Sequence, residues 1–511
     1  MKSLPAELNE SVSSSGPPEL CLPQTPARAP AEGVCILSPG RITQQSTVNV
    51  VGGVISQGLK FLVVIYVAHR FSPADFGRFS FAWAVNSFML VVANFGLPTY
   101  GTRQVARNGV VTSALVRAIV FNRFWLALAS SAAGVLVLLV VPHLTRTDVC
   151  LVGLFGLSNV AQASFLDWAF QGLGRLEMSA ILNVLWQALW LLFTVAGVLL
   201  GGSVLVIGIA LCLSSALAAA LSCLSLRRVM GSPSHPVPST ERFASPLGIL
   251  RSGAALGLGT VLVTVLVWSD SIIVRLLRGA EALAVYAAGS RPEQALGLLL
   301  NFQLQGAFPL LRRASEEGGD LFRRCFQRTY NDAAMIFIPA VLWSAIYAPE
   351  FLQAIFGKPE YAHATPVFRV FQLTYPLVML TFLYGNCGLL VFHRDHTYFR
   401  GFLAVTGCYL IVCPLLTARW GIQGAAYAIA CAFAVLCALF SVKARHLVLP
   451  NHAAALTAPV VVGLATGGVG RLLGLSLIPA ALVFLAGCAI LAAIRTSTVR
   501  DLWKPIQQRS S

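Results

Sequence analysis

The sequence has too little charge for a soluble protein. Asp, Glu, Lys and Arg together make up 11% of its 511 residues, whereas 57% of the residues are hydrophobic. About a quarter of the residues in an ordinary soluble domain are charged. A chain with so few charges cannot cover a water-exposed surface, so the composition excludes a soluble globule and predicts an integral membrane protein.

Motifs that carry enzyme chemistry are missing as well. The sequence has no GxxxxGK[ST] loop for nucleotide phosphates, no HExxH zinc site and no GxSxG nucleophile. Its twelve cysteines contain no CxxC pair, which argues against a cysteine metal site and a disulfide framework. We therefore expect no catalytic residue, no metal and no cofactor, and we predict that the protein is not an enzyme.

Long apolar runs dominate what is present. A helix needs about 20 apolar residues to cross the hydrocarbon core of a bilayer. Runs of that length predict an all-α protein with about fourteen transmembrane helices. The predicted spans are residues 46–68, 78–100, 115–141, 149–171, 179–201, 203–226, 251–276, 284–310, 333–356, 365–392, 398–417, 421–442, 454–472 and 475–494.

The predicted spans fall into two halves. Six precede the Pro- and Ser-rich stretch GSPSHPVPST, and six follow it before a last pair. Two six-helix bundles joined by a loop are typical of transporters, with the substrate held between pseudo-symmetric repeats. The predicted organisation is a disordered cytoplasmic tail (1–41), an N-terminal six-helix lobe (42–228), a cytoplasmic linker (229–250), a C-terminal six-helix lobe (251–442), an additional helix pair (443–494) and a cytoplasmic tail (495–511).

Basic residues give the orientation. With the N-terminus in the cytoplasm, most Lys and Arg fall in cytoplasmic loops, such as the arginine-rich loop 311–332. The net charge of +16 then reflects membrane topology and contact with anionic headgroups, and no nucleic-acid partner is predicted. Residues 1–41 lack a basic segment followed by an apolar core, so no signal peptide is evident. Both termini are predicted to be cytoplasmic.

Six ionisable residues lie inside the predicted spans. A charge in hydrocarbon costs on the order of 3 kcal/mol unless it faces a partner or a wet cavity, so such residues are functional candidates by default. They are Lys60, Arg123, Asp167, Asp270, Arg291 and Glu293.

Depth and partners divide these six residues. Lys60 and Arg123 lie near mid-membrane and have no carboxylate in their own helices, which makes them candidates for binding an anion. Asp270, Arg291 and Glu293 form either a functional site or an ion-paired cluster that joins two helices, with Asp270 as the partner of Arg291. Both interpretations stay open at this point, and Asp167 stays unassigned.

Uncharged polar residues follow the same helices. In the first span Asn49, Gly53, Ser56, Gln57 and Lys60 recur at spacings of three and four, which places them on one helix face. Such faces either line a wet lumen or form hydrogen bonds between packed helices. Similar sets occur on later spans: Asn159, Gln162, Asp167 and Gln171; Asn183 and Gln187; Ser290, Gln294, Asn301 and Gln305.

Several segments resemble a known family. GGVISQGLKFLVVIYVAHRFSPADFGRFSFAWAV (52–85) and FGLPTYGTRQVAR (95–107) are similar to the opening helices of bacterial polysaccharide flippases, the O-antigen and exopolysaccharide translocases of the multidrug/oligosaccharidyl-lipid/polysaccharide superfamily. The family's expected order continues with SDSIIVRLLRGAEALAVYAAGSRPEQ (269–294), AFPLLRR (307–313), FGKPEYAHATPVFRV (356–370) and GIQGAAYAIA (421–430).

The resemblance implies a function and roles for residues. It implies two lobes that rock between inward- and outward-open states in the bacterial inner membrane and flip an undecaprenyl-pyrophosphate-linked oligosaccharide for cell-surface polysaccharide biosynthesis. Membrane lipids, and a polymerase with its chain-length machinery, are the implied partners. The polar residues of the spans fit that cargo, and from their chemistry we assign these implied roles: pyrophosphate binding by Lys60, Arg123 and Arg291; sugar contacts by Gln57, Trp83, Asn86, Trp186 and Gln187; and coupling to protons or sodium, or helix pairing, by Asp167, Asp270 and Glu293.

Three alternatives stay open. Fourteen helices also resemble the peptidoglycan lipid-precursor flippases. A multidrug or cation antiporter of the same superfamily would need an anionic lumen, against which the buried cations argue. A membrane-embedded polysaccharide polymerase would usually carry a large outer loop, and the predicted outer loops are short.

Overall fold

The structure, a computed structural model, describes residues 39–230, 246–448 and 450–491, and this part of the chain contains helices and turns but no strand. The predicted all-α class is thereby confirmed. The predicted tail 1–41 lies outside the described residues except for its last three, which are helical. Most of the predicted linker and all of the tail 495–511 also lie outside them.

Fifteen α-helices are described. They are α1 (Pro39–Arg70), α2 (Pro73–Asn94), α3 (Leu97–Asn108), α4 (Ser113–Val140), α5 (Arg146–Gln162), α6 (Asp167–Gly172), α7 (Leu176–Leu199), α8 (Leu205–Met230), α9 (Pro246–Glu317), α10 (Gly319–Ile346), α11 (Ala348–Phe356), α12 (Thr365–Phe382), α13 (Asp395–Ala444), α14 (His452–Leu472) and α15 (Leu477–Leu491). A 3₁₀ turn (Pro359–Ala364) precedes α12, and a π-helical segment (Leu383–Leu390) follows it.

Ten of the described helices are long and apolar enough to cross a membrane, or eleven when α10 and α11, bent by 89°, are taken as one span. Two of these are too long for one crossing. At 1.5 Å per residue, the 72 residues of α9 would extend about 108 Å, against a hydrocarbon core of about 30 Å. Backbone breaks at Gly279 and Gly421 divide α9 and α13 into two crossings each. These breaks bring the count to thirteen in the described part of the chain, and the shorter apolar helix α15 lies where the fourteenth crossing was predicted.

Glycine makes both breaks possible. Gly279 has φ 89° and Gly421 has φ 63°, which are left-handed values that a side chain disfavours. Elsewhere a helix begins with a side-chain cap. Ser72 Oγ accepts a hydrogen bond from the Asp75 backbone N–H at 3.2 Å, and Pro73 supplies the first residue of α2. These signals turn the chain sharply at the ends of consecutive crossings.

The crossings pack into two lobes. Helices α1, α2, α4, α5, α7 and α8 contact one another in the first lobe, and α9, α10, α12 and α13 do so in the second. The most extensive contact between the lobes joins α2 to α9. We call the end where α8 ends and α9 begins the linker face, and the opposite end, where α1 turns into α2, the distal face.

The additional helix α14 packs closely on α10. A methyl group on Gly463 would lie 2.9 Å from the Pro339 Cα, and one on Gly467 would lie 2.5 Å from the Ile346 Cδ1. At the distal end of α14, both Arg471 Nη atoms donate to the Glu350 carboxylate, at 2.6 and 2.9 Å. The glycine face of α14 therefore fixes it to the second lobe.

We predict that Gly424→Ala destabilises the protein by about 1–3 kcal/mol. The new methyl group would lie 2.0 Å from the Leu416 carbonyl oxygen in the other half of α13, so backbone has to move. Thermal unfolding of the purified protein in detergent measures the change.

Gly407→Ala is the matched control in the same helix, because no atom lies within 4 Å of the position that its methyl group would take. It should unfold at or above the parent temperature, since alanine is the better helix former. Equal melting temperatures for both variants would contradict the close contact between the halves of α13.

Candidate functional site

A cavity of about 320 Å³ lies between the lobes. Its walls come from α1 and α2 on one side and from α9, α12 and α13 on the other. The sequence-predicted residues among its walls are Gln57, Lys60, Trp83, Asp270, Arg291, Glu293, Gln294 and Asn301. The predicted polar faces of the first and eighth spans therefore meet at one cavity.

The first lobe contributes a lysine backed by tryptophans. Lys60 Nζ lies 4.5 Å from the centroid of the Trp83 ring. The Trp83 ring stacks on Trp190, with centroids 5.1 Å apart and planes 20° apart. Trp190 is fully buried, so it fixes the position of Trp83 from behind. An ammonium over an indole face keeps its donors available for another ligand.

The second lobe contributes an arginine in a similar setting. The Arg291 Cζ atom lies 4.7 Å from the centroid of the Trp268 ring, and Nη1 donates to Gln294 Oε1 at 2.8 Å. The Nη2 atom is buried and has no hydrogen-bond partner among the described residues. A buried guanidinium nitrogen without a partner is costly, so a ligand with acceptor oxygens would satisfy it.

Two carboxyl groups, those of Asp270 and Glu293, also line the cavity. Asp270 is 2% exposed and accepts hydrogen bonds from Tyr286 Oη at 2.6 Å and from the Ser271 backbone N–H at 2.5 Å. It forms no ion pair with Arg291, although the sequence offered that pairing as an alternative; its donors are a tyrosine hydroxyl and a backbone N–H. Glu293 also lines the cavity, and within the described segments it forms no ion pair.

The two cations lie at similar depths. Lys60 is ten residues from the distal end of α1, and Arg291 is twelve residues from the break at Gly279. At 1.5 Å per residue these separations are about 15 and 18 Å. One unpaired cation from each lobe therefore faces the cavity near the middle of the membrane.

Arg123 and Asp167 lie elsewhere. Arg123 is buried inside the first lobe, where Nη1 donates to the Phe165 carbonyl oxygen at 3.0 Å, at the break between α5 and α6. Asp167 begins α6 and accepts a hydrogen bond from Gln171. Neither residue lines the cavity, so the implied role of Arg123 in pyrophosphate binding is not retained. A carbonyl freed by a broken helix requires a donor, which Arg123 provides.

Three of the implied sugar contacts are also absent from the cavity walls. Asn86 is buried and accepts a hydrogen bond from Asn159 Nδ2 at 2.8 Å. Trp186 Nε1 donates to Ser215 Oγ at 3.2 Å, and Gln187 does not reach the cavity. These polar residues of the fourth and fifth predicted spans thus form hydrogen bonds within the first lobe and do not line the cavity.

Sequence reasoning missed several wall residues. Trp268 is the main one, and Thr264, four residues earlier on the same face of α9, is another. The spacing of Trp268, Thr264 and the charged Asp270 in one apolar span was the available signal. Thr374 and several phenylalanines of α12 and α13 carry no such signal, because an apolar wall residue looks like any residue in a span.

Comparisons with known proteins agree with this architecture. A family model described as a polysaccharide biosynthesis protein matches residues 42–315. No curated protein sequence matches significantly. The predicted resemblance to polysaccharide flippases of this superfamily is confirmed.

Solved structures share the fold. The lipid II flippase MurJ in an inward closed conformation superposes with a TM-score of 0.68 at 10% identity, covering 90% of this chain and 99% of that chain. An inward-facing MATE family multidrug transporter of the MOP superfamily gives 0.60 at 14% identity, with coverage of 78% and 97%. A MOP superfamily transporter from Pyrococcus furiosus gives 0.56 at 13% identity, with coverage of 79% and 95%. Identities this low establish the fold alone.

We predict that Arg123→Gln destabilises the protein by roughly 1–3 kcal/mol, because the Phe165 carbonyl loses its charged donor in a buried setting. Thermal unfolding in detergent measures the loss. Arg117→Gln is the control on the same helix, since Arg117 is exposed. If both variants melted at the same temperature, the structural role of Arg123 would be wrong.

Proposed function

We propose that this chain, which belongs to the polysaccharide biosynthesis protein family, translocates an undecaprenyl-pyrophosphate-linked oligosaccharide across the bacterial inner membrane by alternating access. The chain has the fold of MOP superfamily transporters, including the flippase MurJ. One observation carries the proposal: Lys60 from the first lobe and Arg291 from the second face one mid-membrane cavity without ion-pair partners among the described residues.

The chemistry of a pyrophosphate suits this pair. Two linked phosphoryl groups offer several acceptor oxygens to two cations at once. The guanidinium of Arg291 presents a planar set of donors, and the ammonium of Lys60 acts as a mobile point charge. A headgroup held by both residues contacts both lobes, so its binding favours a particular separation of the lobes. Ligand binding that differs between two states is what shifts a transporter between them.

The remaining walls suit a glycan. Trp83 and Trp268 place aromatic rings beside the cations, with no other aromatic ring stacked on the Trp268 ring among the described residues, and Gln57, Gln294 and Asn301 present amides. Sugar rings pack on indole faces while their hydroxyl groups bond to amides. The lipid tail would stay in the bilayer, against the apolar outer surface of the lobes. In this proposal the linker face and both termini are cytoplasmic and the distal face is outside.

Glu293 is the carboxyl group best placed to couple transport to protons or sodium. It lines the cavity beside Arg291, with Pro292 between them in the helix. Asp270 is a second candidate, although its oxygens already accept two hydrogen bonds. Asp167 lies outside the cavity and is left out of this role. A polymerase and its chain-length machinery would be partners of this protein only if the cargo is a polysaccharide repeat unit.

A peptidoglycan lipid-precursor flippase is the second candidate function. The fold similarity to the lipid II flippase MurJ favours it, and the similarity extends over 90% of this chain. A pyrophosphate headgroup would suit Lys60 and Arg291 in either case. A cation antiporter is less well supported: Asp270 and Glu293 in the cavity would attract a cationic drug, but Lys60 and Arg291, which have no ion-pair partners among the described residues, offset that attraction.

We predict that Lys60→Gln and Arg291→Gln each weaken binding of an undecaprenyl pyrophosphate lipid about 10- to 100-fold, since a hydrogen bond to a charged group is worth about 1.5–3 kcal/mol. Binding is measured on purified protein in nanodiscs, with undecaprenyl phosphate for comparison. Arg117→Gln, on the exposed surface of α4, should bind like the parent. Unchanged affinity in both cavity variants would refute the cationic site.

Complementation distinguishes the two cargo classes. We expect the chain to restore surface polysaccharide in cells that lack a polysaccharide flippase, and to fail to support growth when a peptidoglycan precursor flippase is depleted. The double variant of Lys60 and Arg291 to Gln should lose the activity while still inserting in the membrane. Rescue of growth alone would favour the peptidoglycan alternative.

A further inference from the structure

A buried ion pair joins the two lobes near the distal face. Arg275 Nη2 of α9 lies 2.7 Å from Asp148 Oδ2 of α5, and the two side chains are 7% and 0% exposed. Neither residue belongs to the walls of the cavity. We call this contact the distal ion pair.

Each charge of the distal ion pair depends on the other. Asp148 Oδ2 also accepts hydrogen bonds from the Thr145 backbone N–H and hydroxyl, both at 2.8 Å, as part of a capping box that begins α5. Its second oxygen has no partner among the described residues. Arg275 packs over the Phe81 ring at 5.8 Å, and its Nε has no described partner. Removing either residue leaves the other as an uncompensated buried charge.

Other contacts also join the lobes near the distal face. The His69 ring contacts the Ile355 carbonyl oxygen at 2.8 Å, and the Lys358 ammonium donates to the Phe71 carbonyl oxygen. The Phe76 ring lies 5.7 Å, between centroids, from Tyr361. All three contacts join the end of the α1–α2 hairpin to the segment between α10 and α12.

The lobes approach each other closely at Gly77. A methyl group added there would lie 1.8 Å from the Ala280 carbonyl oxygen, next to the break in α9. A side chain at this position would therefore force α2 and α9 apart. Near the distal face the lobes therefore meet both through the ion pair and through close packing at Gly77. A substitution can alter either of these without changing the other.

The distal ion pair lies between the cavity and the distal face. Arg275 is four residues from Gly279, or about 6 Å along the helix, whereas Arg291 is about 18 Å from it on the other half of α9. Water from the distal side has to pass the level of Arg275 before it reaches Lys60 and Arg291. Separation of the lobes would hydrate Asp148 and Arg275 together, so neither would be left charged in an apolar setting.

We propose that Asp148 and Arg275 form the charged component of a gate that closes the cavity toward the distal face and sets the equilibrium between closed and distal-open states. The gate rests on the alternating-access part of the proposed function and not on the identity of the cargo. In the closed state the pair excludes water from the level above the cavity. In the distal-open state water replaces each partner.

Accessibility of a cavity residue tests the gate without any cargo. Thr264→Cys places a thiol in the cavity wall, in a background from which cysteines that react in intact vesicles have been removed. A membrane-impermeant maleimide is added to the distal side of oriented proteoliposomes. We expect slow labelling in the parent and labelling at least about tenfold faster with Asp148→Asn or Arg275→Gln.

The matched control is Arg278→Gln, three residues along the same helix. Arg278 donates to the Thr417 carbonyl oxygen at 3.1 and 3.0 Å, which keeps its contacts inside the second lobe. It should label at the parent rate. The double variant Asp148→Asn with Arg275→Met removes both buried charges, so it should fold like the parent and label more slowly than either single variant, because no uncompensated charge remains to favour the open state. Parent-rate labelling in properly folded single variants would overturn the proposal.

Gly77→Ala opens the same contact without touching a charge. It should also accelerate distal labelling, and it shows that the assay detects distal opening even if the charge variants fail to fold. Fast labelling in Gly77→Ala but not in properly folded charge variants would remove the ion pair from the gate and leave alternating access standing. No distal labelling in any variant would contradict both the gate and alternating access.

Discussion

The cost of an unpaired charge in an apolar medium shapes this molecule. An ionisable group inside a membrane protein needs a partner, a dipole or water. Arg123 meets a carbonyl freed by a broken helix, and Asp148 meets Arg275 across the lobes. Asp270 accepts a tyrosine hydroxyl. Lys60 and Arg291 lie over tryptophan faces, and Arg291 also donates to one amide. Neither forms an ion pair among the described residues, and both face the cavity, as Glu293 does.

Breaks in the helices make these pairings possible. The break at Gly279 folds α9 into a hairpin, which brings Arg291 on one half and Trp268 on the other into contact. The same hairpin lets Tyr286 reach Asp270. In the first lobe, the interruption between α5 and α6 releases the carbonyl that Arg123 needs. A glycine with positive φ or a short unwound segment thus decides where a charge is tolerated.

Both lobes contribute residues to the cavity and to the distal ion pair. Each lobe gives one cation and one tryptophan to the cavity, and each gives one residue to the distal ion pair. Neither lobe holds a complete site. The distance between the two cations and the distal ion pair both depend on how far apart the lobes lie. A change in that separation would alter the cavity and the distal ion pair together, as the proposed alternating access requires.

The sequence by itself determined the membrane class, the positions of the long crossings and the division into two lobes, because apolar length and Pro- and Ser-rich breaks are local properties. Helical periodicity also gave the polar face of α1 that carries Gln57 and Lys60. The sequence ranked Arg123 with Lys60, since both are cations at depth without a carboxylate nearby. Only the tertiary structure separated them, because periodicity defines a helix face but not the neighbour that the face meets. The same limit concealed the distal ion pair, whose two residues lie 127 positions apart in the chain.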